Sequence, residues 1–334
     1  MGLVVEYGMI WGRGPRGKWR EAPDLGERRV GSHSSQAAAM ERARRDTMGR
    51  TSPGGSSAWY LAKAWIVLGR RARAGERPGE IVGGRGVVAG MVENALGFVP
   101  ARPVVWPVPP VPDVRRVVFR AKKILVGLVF DAAHLEGSPY TFPEVQTLLD
   151  GVTVGGHRLE DQRLILNLRA AWDALLGAVL AGQFTLSQDR YCALHRLVAA
   201  EEALAWGTFR TGSVEVAGTT TYTPPPAETL GERFAQGLAA LQEFAHPVHR
   251  AVNFFLFGAY QKCFWAGNRR TARLMMNGVL MQAGLDALSV PARARREFNE
   301  AMLRFYDRAD GREMGDLLLS YAPDSYRSSG LAPS

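Results

Sequence analysis

Cysteine is scarce in this 334-residue chain, which has only Cys192 and Cys263, far apart and without the spacing of a metal site. So few cysteines exclude a disulfide framework and are typical of a reducing compartment, so we expect a cytoplasmic protein. Long apolar runs are also lacking. The longest near-candidate, Ala58 to Gly69, contains Lys63 and falls short of the ~18 residues that a membrane span needs. The N-terminus has no apolar stretch behind a basic start, so no secretory signal is expected.

Acidic residues are depleted in the N-terminal third alone. The net charge is +9, and the first 120 residues carry 20 Lys and Arg against 10 Asp and Glu, while the remainder is close to neutral. The later part is therefore not expected to be a nucleic-acid surface. Within residues 1–110, Gly, Arg, Pro and Ser recur without a period and lead into the Pro-rich stretch Pro100 to Pro112. We expect a disordered extension there, and a basic arm that contacts nucleic acid or acidic surfaces is the alternative.

From Val114 onward, apolar residues recur at helical intervals. Ser187 is a typical N-cap and Gly284 a typical helix-terminating glycine. Helices are predicted over Val114–Leu135, Phe142–Leu149, Leu159–Ala181, Ser187–Ala200, Ala227–Phe244, Pro247–Gln261, Arg269–Ala283, Ala292–Arg308 and Gly311–Tyr321.

One segment interrupts the helical pattern. From Phe209 to Pro226 the residues alternate, many are β-branched, and glycines stand at turn-like positions. This pattern predicts a short β-hairpin. A lone hairpin in a helical fold leaves free backbone groups at its edge, and these could receive an extended partner segment by strand addition.

The most informative stretch runs from Lys262 to Arg273. Gly267 and Asn268 suit the turn before a helix, and three arginines follow in its first turns: Arg269, Arg270 and Arg273. A helix N-terminus attracts anions, and cations there oppose the helix dipole. Three arginines therefore predict a polyanionic ligand such as the phosphates of a nucleotide, with a solvated basic helix start as the alternative.

This stretch resembles the signature loop of the Fic/Doc family, His-x-Phe-x-(Asp/Glu)-Gly-Asn-(Gly/Lys)-Arg-x-x-Arg. Arg269 occupies the variable Gly/Lys position, Lys262 stands where the family has its catalytic histidine, and Ala266 where it has its magnesium-binding acid. The resemblance, over roughly residues 115–322, implies a mainly α-helical bundle with one β-hairpin flap that transfers AMP from ATP to a hydroxyl of a target protein. The matching residues are Phe264, Gly267, Asn268, Arg270 and Arg273.

A second motif lies before the signature. Residues 132–137, Ala-Ala-His-Leu-Glu-Gly, resemble the inhibitory pattern (Ser/Thr)-x-x-x-Glu-(Gly/Asn) of the same family, with Ala132 in place of the hydroxyl residue. The resemblance implies that Glu136 pairs with Arg273 and blocks the position of the γ-phosphate. The alternative is a surface acid at the end of a helix.

The two substitutions in the signature impair the expected chemistry. Lysine has a reference pKa of ~10.4, so Lys262 would need a drop of ~3 units, or ~4 kcal/mol, to act as a base near neutrality. Losing a general base costs ~10²–10⁴ in rate. Ala266 removes the metal ligand, which argues against magnesium. Because Lys262 and Arg269 add positive charge, we hypothesise a metal-independent nucleotide pocket with Lys262 as a phosphate anchor.

These expectations divide the chain into a basic extension (1–110), an inhibitory helix with its connecting segment (111–158), a Fic-like domain (159–322) and a flexible tail (323–334). Two functions remain open: an AMP transferase with altered catalysis, and a catalytically silent protein that binds nucleotide or a partner. A homodimer is a candidate assembly, and no metal site is expected.

The predicted nucleotide contacts are Phe264, Gly267, Asn268, Arg269, Arg270 and Arg273. The predicted target-docking residues of the flap are Phe209, Arg210, Val214, Val216 and Tyr222.

Overall fold

The computed structural model describes residues 90–109 and 111–328, together with the backbone of three short strands near the N-terminus. These strands are β1 (Leu3–Glu6), β2 (Met9–Arg13) and β3 (Trp19–Glu21), and they form an antiparallel sheet in that order. Most of the extension predicted to be disordered, and with it the candidate basic arm, lies outside the described residues.

The remainder is helical, and its elements follow the predicted pattern closely. A short helix, α1, spans residues 90–96, and 3₁₀ turns at Ala227–Thr229 and Ala292–Ala294 precede α7 and α10. The other helices are α2 (Val114–Lys123), α3 (Leu125–Leu135), α4 (Phe142–Leu149), α5 (Leu159–Leu180), α6 (Gln188–Val198), α7 (Leu230–Gln242), α8 (Pro247–Gln261), α9 (Asn268–Gln282), α10 (Arg295–Arg308), α11 (Arg312–Ser320) and α12 (Ser325–Ser328). No helix among the described residues is long and apolar enough to cross a membrane.

The first predicted helix is two helices. Residues 114–135 break at Ile124, whose φ of −106° and ψ of 14° depart from helical values. Val117 and Val118 of α2 and Leu128 and Val129 of α3 are all buried on either side of this break. The apolar spacing runs on across Ile124, and this is why periodicity alone predicts one helix.

Helices α8 and α9 form the centre of the core. Nearly every residue of both is buried, apolar or not. They approach closely at Gly258, where a Cβ atom would lie 2.9 Å from the Cβ of Ala272 and 2.9 Å from the hydroxyl of Tyr191. The turn between these two helices is therefore anchored at both ends in the core.

The folded part extends beyond the expected boundaries at both ends. Leu96, Phe98 and Ala101 are buried in the same hydrophobic core as the helices that follow, so residues 90–109 belong to the fold and not to the extension. Tyr326 is fully buried, and its hydroxyl donates to the carbonyl oxygen of Asp286 at 2.6 Å. Tyr326, expected in the flexible tail, therefore packs in the core, and residues 329–334 of that expected tail lie outside the described residues. The helical region has one core from Val92 to Tyr326, without a division at residue 158.

The segment 209–226 forms turns and extended chain, and the structure assigns it no strand. The β-hairpin is therefore not confirmed. Some of its backbone N–H groups bond to residues outside the segment instead. Arg210 N–H donates to the carbonyl of Cys263 at 2.8 Å, and the N–H groups of Thr220 and Thr221 donate to the carboxylate of Asp307 at 2.8 and 2.9 Å. We call residues 209–226 the flap segment.

Candidate functional site

The turn between α8 and α9 is built on two residues with positive φ. Lys262 ends α8 with φ 47° and ψ 51°, and Gly267 precedes α9 with φ 71°. A Cβ atom at Gly267 would also lie 3.3 Å from Val198 and 3.4 Å from Ala199. Glycine is required here on both counts, because left-handed backbone strains other residues and the neighbours leave little room.

Asn268 closes this turn. Its Oδ1 accepts from the N–H of Phe264 at 2.9 Å, and its Nδ2 donates to the carbonyl of Phe264 at 2.8 Å. Phe264 is itself fully buried. The amide of Asn268 and the ring of Phe264 therefore shape the turn, although both also line the cavity described below.

His195 supports the same turn from α6. Its Nδ1 accepts from the N–H of Gly207 at 3.0 Å, so its proton lies on Nε2, which donates to the carbonyl of Ala266 at 2.9 Å. The ring stacks on Phe264 with a centroid distance of 3.6 Å. Burial lowers the pKa of His195 to about 4, which keeps the ring neutral. The sequence gives no sign of this role, because His195 lies on a predicted helix and lacks the spacing of a metal ligand.

The three arginines of α9 divide into two groups. Arg270 makes a two-pronged pair with Glu202, at 3.0 Å from Nη1 to Oε1 and 2.6 Å from Nη2 to Oε2, and it is buried. Arg269 and Arg273 both face Glu136 at the end of α3. The structure therefore places Arg270, expected among the nucleotide contacts, in an ion pair within the helical core.

Glu136 bridges the other two arginines. Its Oε2 accepts from Arg269 Nη2 at 2.9 Å and its Oε1 from Arg273 Nη2 at 3.1 Å. Burial alone would raise the pKa of Glu136, but Arg269, Arg273 and Arg270 outweigh it and lower the pKa to about 2. The carboxylate is therefore ionised at neutral pH. The contact with Arg273 is the one that the motif implies, and the contact with Arg269 is additional.

A cavity of about 410 Å³, here called the α9 cavity, opens beside Glu136. Lys262 and Arg269 lie on its polar side, and Met302, Leu303 and Tyr306 of α10 on its apolar side. Arg270 and Arg273 do not line it. The remaining lining residues are Glu136, Val214, Glu215, Val216, Ala217, Phe264, Trp265, Ala266, Gly267, Asn268 and Asn299.

Lys262 has an unusual environment in this cavity. Its Nζ lies 5.1 Å from the ring centroid of Tyr306. Burial lowers its pKa to about 8, Arg269 contributes in the same direction, and Glu136 opposes both. The ammonium is therefore easier to deprotonate than an ordinary lysine, and a bound anion would reverse that shift.

This part of the chain matches the model of a known protein family. Residues 185–280 match the model of the Fic/DOC family. The chain carries a Fic/DOC domain. It is 27% identical over 173 residues to protein adenylyltransferase Fic of Drosophila grimshawi, which covers 51% of this chain and 36% of that protein. A similar match, 26% over 180 residues, is found with the protein of the same name from Culex quinquefasciatus, of which 36% is covered. The chain thus spans about a third of the length of the curated relatives it matches.

Solved structures give the same fold. Fic-1 (residues 134–508) from C. elegans aligns with a TM-score of 0.55 and 19% identity, covering 83% of this chain and 78% of that one. A Fic domain containing signaling protein from Bacteroides thetaiotaomicron aligns with a TM-score of 0.53 and 15% identity, covering 70% and 90%. At these identities the likeness shows the fold alone.

In this Fic/DOC domain, three of the expected docking residues are anchors of the flap segment. Phe209 packs edge-on against Phe234 at a centroid distance of 5.2 Å. Arg210 is 2% exposed and donates to the carbonyls of Lys262, at 2.6 Å, and Gly212. Tyr222 donates to the carbonyl of Tyr260 and stacks on Tyr306. These side chains face inward because their apolar or hydrogen-bonding partners lie in the core.

The other two docking residues, Val214 and Val216, lie on the α9 cavity and are half-buried. Between and beside them, Ser213, Glu215 and Ala217 are exposed. The side chains of residues 213–217 therefore alternate between exposed and half-buried, as the sequence pattern predicts, although they form no paired strand.

The site does not fit a magnesium ion held in the family's way. Ala266 has no side-chain ligand, and its carbonyl already accepts from His195. The described residues contain no group of three or more His, Cys, Asp or Glu side chains able to hold a metal. A cation therefore has no prepared protein ligands at this turn.

Proposed function

We propose that this chain is an autoinhibited Fic protein that binds ATP in the α9 cavity and slowly transfers AMP from it to a hydroxyl of a target protein. The hydroxyl oxygen forms a bond to the α-phosphorus, pyrophosphate leaves, and the hydroxyl proton passes to solvent. The observation that carries the proposal is Glu136, a carboxylate held by Arg269 and Arg273 at the edge of a cavity large enough for a nucleotide. A side-chain anion occupies the arginines that a ligand anion would use.

The cavity suits a nucleotide in size and in polarity. Its volume of about 410 Å³ lies within the range of small-molecule sites. The N-terminus of α9, Arg269 and Lys262 supply positive charge for phosphates. The apolar residues of α10 offer a surface for a base or sugar. The named relatives are protein adenylyltransferases, which supports ATP as the nucleotide.

Lys262 acts as a phosphate anchor in this proposal. Its pKa of about 8 leaves it mostly protonated at neutral pH, and bound phosphates raise the pKa further. The ammonium then neutralises phosphate charge without magnesium. The same protonation removes it as a general base, so transfer is expected to be ~10²–10⁴-fold slower than with a histidine in this position.

Displacement of Glu136 is the proposed activating step. When the carboxylate leaves, Arg269 and Arg273 lose their only acidic partner among the described residues and become available to an incoming phosphate. A buried cation without a partner destabilises the folded protein. A phosphate that replaces the carboxylate therefore restores the electrostatic interaction with the two arginines.

The flap segment is the proposed docking surface for the target. The backbone N–H groups of residues 213–216 have no hydrogen-bond partner within the described chain. Ser213 and Glu215 are exposed beside them. An extended target segment could pair with this backbone and place a hydroxyl over the α9 cavity. A homodimer, a contact by the N-terminal arm and a cytoplasmic location stay predictions.

A second candidate function is a catalytically silent nucleotide-binding regulator. The observation that favours it is the pair of substitutions at Lys262 and Ala266, which leave the cavity but remove the base and the metal ligand. Such a protein would bind ATP and a partner without labelling it.

Incubation with a cell lysate and ATP labelled at the α- or γ-phosphate separates the two candidates. Glu136→Gly should label lysate proteins from the α-position more strongly than the unmodified chain. The matched control is Glu243→Gly, because Glu243 caps α7 as Glu136 caps α3 but is exposed. Labelling that appears only after Lys262→His with Ala266→Asp would establish the silent regulator. Labelling from the γ-position would overturn AMP transfer.

Thermal-shift titration with ATP tests the anchor. We expect stabilisation in the presence of a chelator and a ~10-fold weaker apparent affinity in Lys262→Gln, the effect of losing one charge-assisted contact of ~1.4 kcal/mol. Lys122→Gln, an exposed lysine of α2, is the control. Stabilisation that requires magnesium would contradict the metal-independent site.

A further inference from the structure

A second and much smaller space lies against α9, separate from the α9 cavity. Its volume is about 20 Å³, and we call it the rear cavity. Arg270 and Arg273 line it, and most of its other walls are buried apolar side chains. The remaining lining residues are Ala132, Leu135, Leu168, Trp172, Leu274, Asn277, Leu288, Ser289 and Val290.

The arginines bring unpaired donors to this region. Nε of Arg270 and both Nε and Nη1 of Arg273 are buried and have no hydrogen-bond partner in the described protein. Arg270 is 7% exposed and Arg273 is 8% exposed. Buried N–H groups of a guanidinium without an acceptor are costly, so a partner is expected.

The carboxylates near these arginines leave the unpaired donors unsatisfied. Within ion-pair distance, Glu136 accepts from Arg269 and Arg273, and Glu202 accepts from Arg270. A third carboxylate, Asp131, attracts Arg273 over a longer distance, but its oxygens accept from Ser289 and Ala292 and not from the guanidinium. A small anion would supply the acceptor that these N–H groups lack.

The chemistry of the walls favours an anion over water. A water molecule would bring two O–H donors, and the acceptor oxygens nearby already take one hydrogen bond each. The amide oxygen of Asn277 accepts from the N–H of Leu288 at 2.7 Å, and the carbonyl of Ala132 accepts from Arg273. A halide only accepts hydrogen bonds, so it matches a cavity that presents donors and apolar surface.

We propose that the rear cavity binds a single halide ion, chloride under physiological conditions, through Arg270 and Arg273. A volume of about 20 Å³ admits one atom of that size and excludes phosphate or sulfate. The proposal does not require the proposed nucleotide chemistry, because the rear cavity is a separate space that shares no lining residue with the α9 cavity.

The halide and Glu136 share Arg273, so their binding is negatively coupled. An anion on Nε or Nη1 weakens the attraction that holds the carboxylate on Nη2. By reciprocity, removal of the carboxylate tightens the halide. Chloride therefore favours release of Glu136 from α9.

Bromide tests the site, because it replaces chloride and scatters anomalously. Crystals of the full chain grown in sodium bromide should show an anomalous peak between Arg270 and Arg273. In solution, sodium bromide should raise the melting temperature in a saturable way relative to sodium glutamate at the same ionic strength. Glu136→Gln should bind bromide roughly 5-fold more tightly or better.

Two variants separate binding from a general salt effect. Arg273→Lys keeps the charge but removes Nε, and Val290→Leu adds bulk to a wall of the cavity; both should lose the anomalous peak and the bromide-specific shift. Val248→Leu, an equally buried valine of α8, should keep them. Absence of the peak in the unmodified chain, or its survival in both Arg273→Lys and Val290→Leu, would overturn the proposal.

Discussion

Two glutamates contact the first turns of α9, and they do so in different ways. Glu202 gives both oxygens to Arg270 alone, and neither residue lines the α9 cavity. Glu136 divides its oxygens between Arg269 and Arg273 and lies on the wall of that cavity. The same residue type with the same partner type thus forms a fixed structural pair in one place and a releasable contact in the other.

The difference follows from what surrounds each pair. A two-pronged pair fixes the orientation of Arg270 and, through the bond of Nη1 to the carbonyl of Val198 at 3.3 Å, ties α9 to the end of α6. Glu136 stands at the end of α3, next to open space that a competing anion can enter. A buried ion pair therefore stabilises the fold at Glu202, where open space for a competing anion is lacking. At Glu136 a competing anion can enter, and the ion pair can be released.

The largest expected effect is on stability. Glu202→Gln should lower the free energy of unfolding by ~3–5 kcal/mol, because it leaves Arg270 buried without a charged partner. Glu136→Gln should cost less, ~1–2 kcal/mol, since water in the α9 cavity can reach the freed Arg269. Urea denaturation of both variants measures the two costs. Equal costs would contradict the distinction between a structural and a releasable pair.

The sequence located the site better than it assigned the roles within it. Gly267 and Asn268 were recognisable because a turn before a helix needs those residue types. Arg270 was predicted to be a nucleotide contact, and the structure pairs it with Glu202, a partner that spacing along α9 does not reveal. That information exists only after α6 and α9 have packed.

The flap segment shows a second limit. Its alternation of inward and outward residues was readable from Phe209 to Tyr222, and the exposure of Ser213 and Glu215 follows it. Whether such a segment pairs with itself or with a helix depends on long-range acceptors such as Asp307, which alternation does not reveal. The helices were predicted well because their apolar spacing is local, and the break at Ile124 was missed because it leaves that spacing intact.

A smaller effect is expected on nucleotide binding. If Glu136 competes with a phosphate for Arg269 and Arg273, Glu136→Gln should bind ATP ~5- to 150-fold more tightly, the usual range of coupling between two ligands. Isothermal titration measures this directly, with Glu243→Gln as the control at a matching capping position. Unchanged affinity would show that Glu136 does not occupy the phosphate site.

The smallest expected effect concerns the dependence of stability on pH through Glu136. The pKa of Glu136 in the folded chain is about 2, below its ordinary value of 4.5, because the attraction of the arginines outweighs burial. Its stabilising contribution is therefore present above pH 4.5 and is lost as the pH falls toward 2. The difference in urea midpoint between the unmodified chain and Glu136→Gln should be constant from pH 7 to pH 5 and should narrow below that. A difference that persists undiminished at pH 3 would mean that Glu136 acts through its shape at the end of α3, and then its charge could not be what a nucleotide displaces.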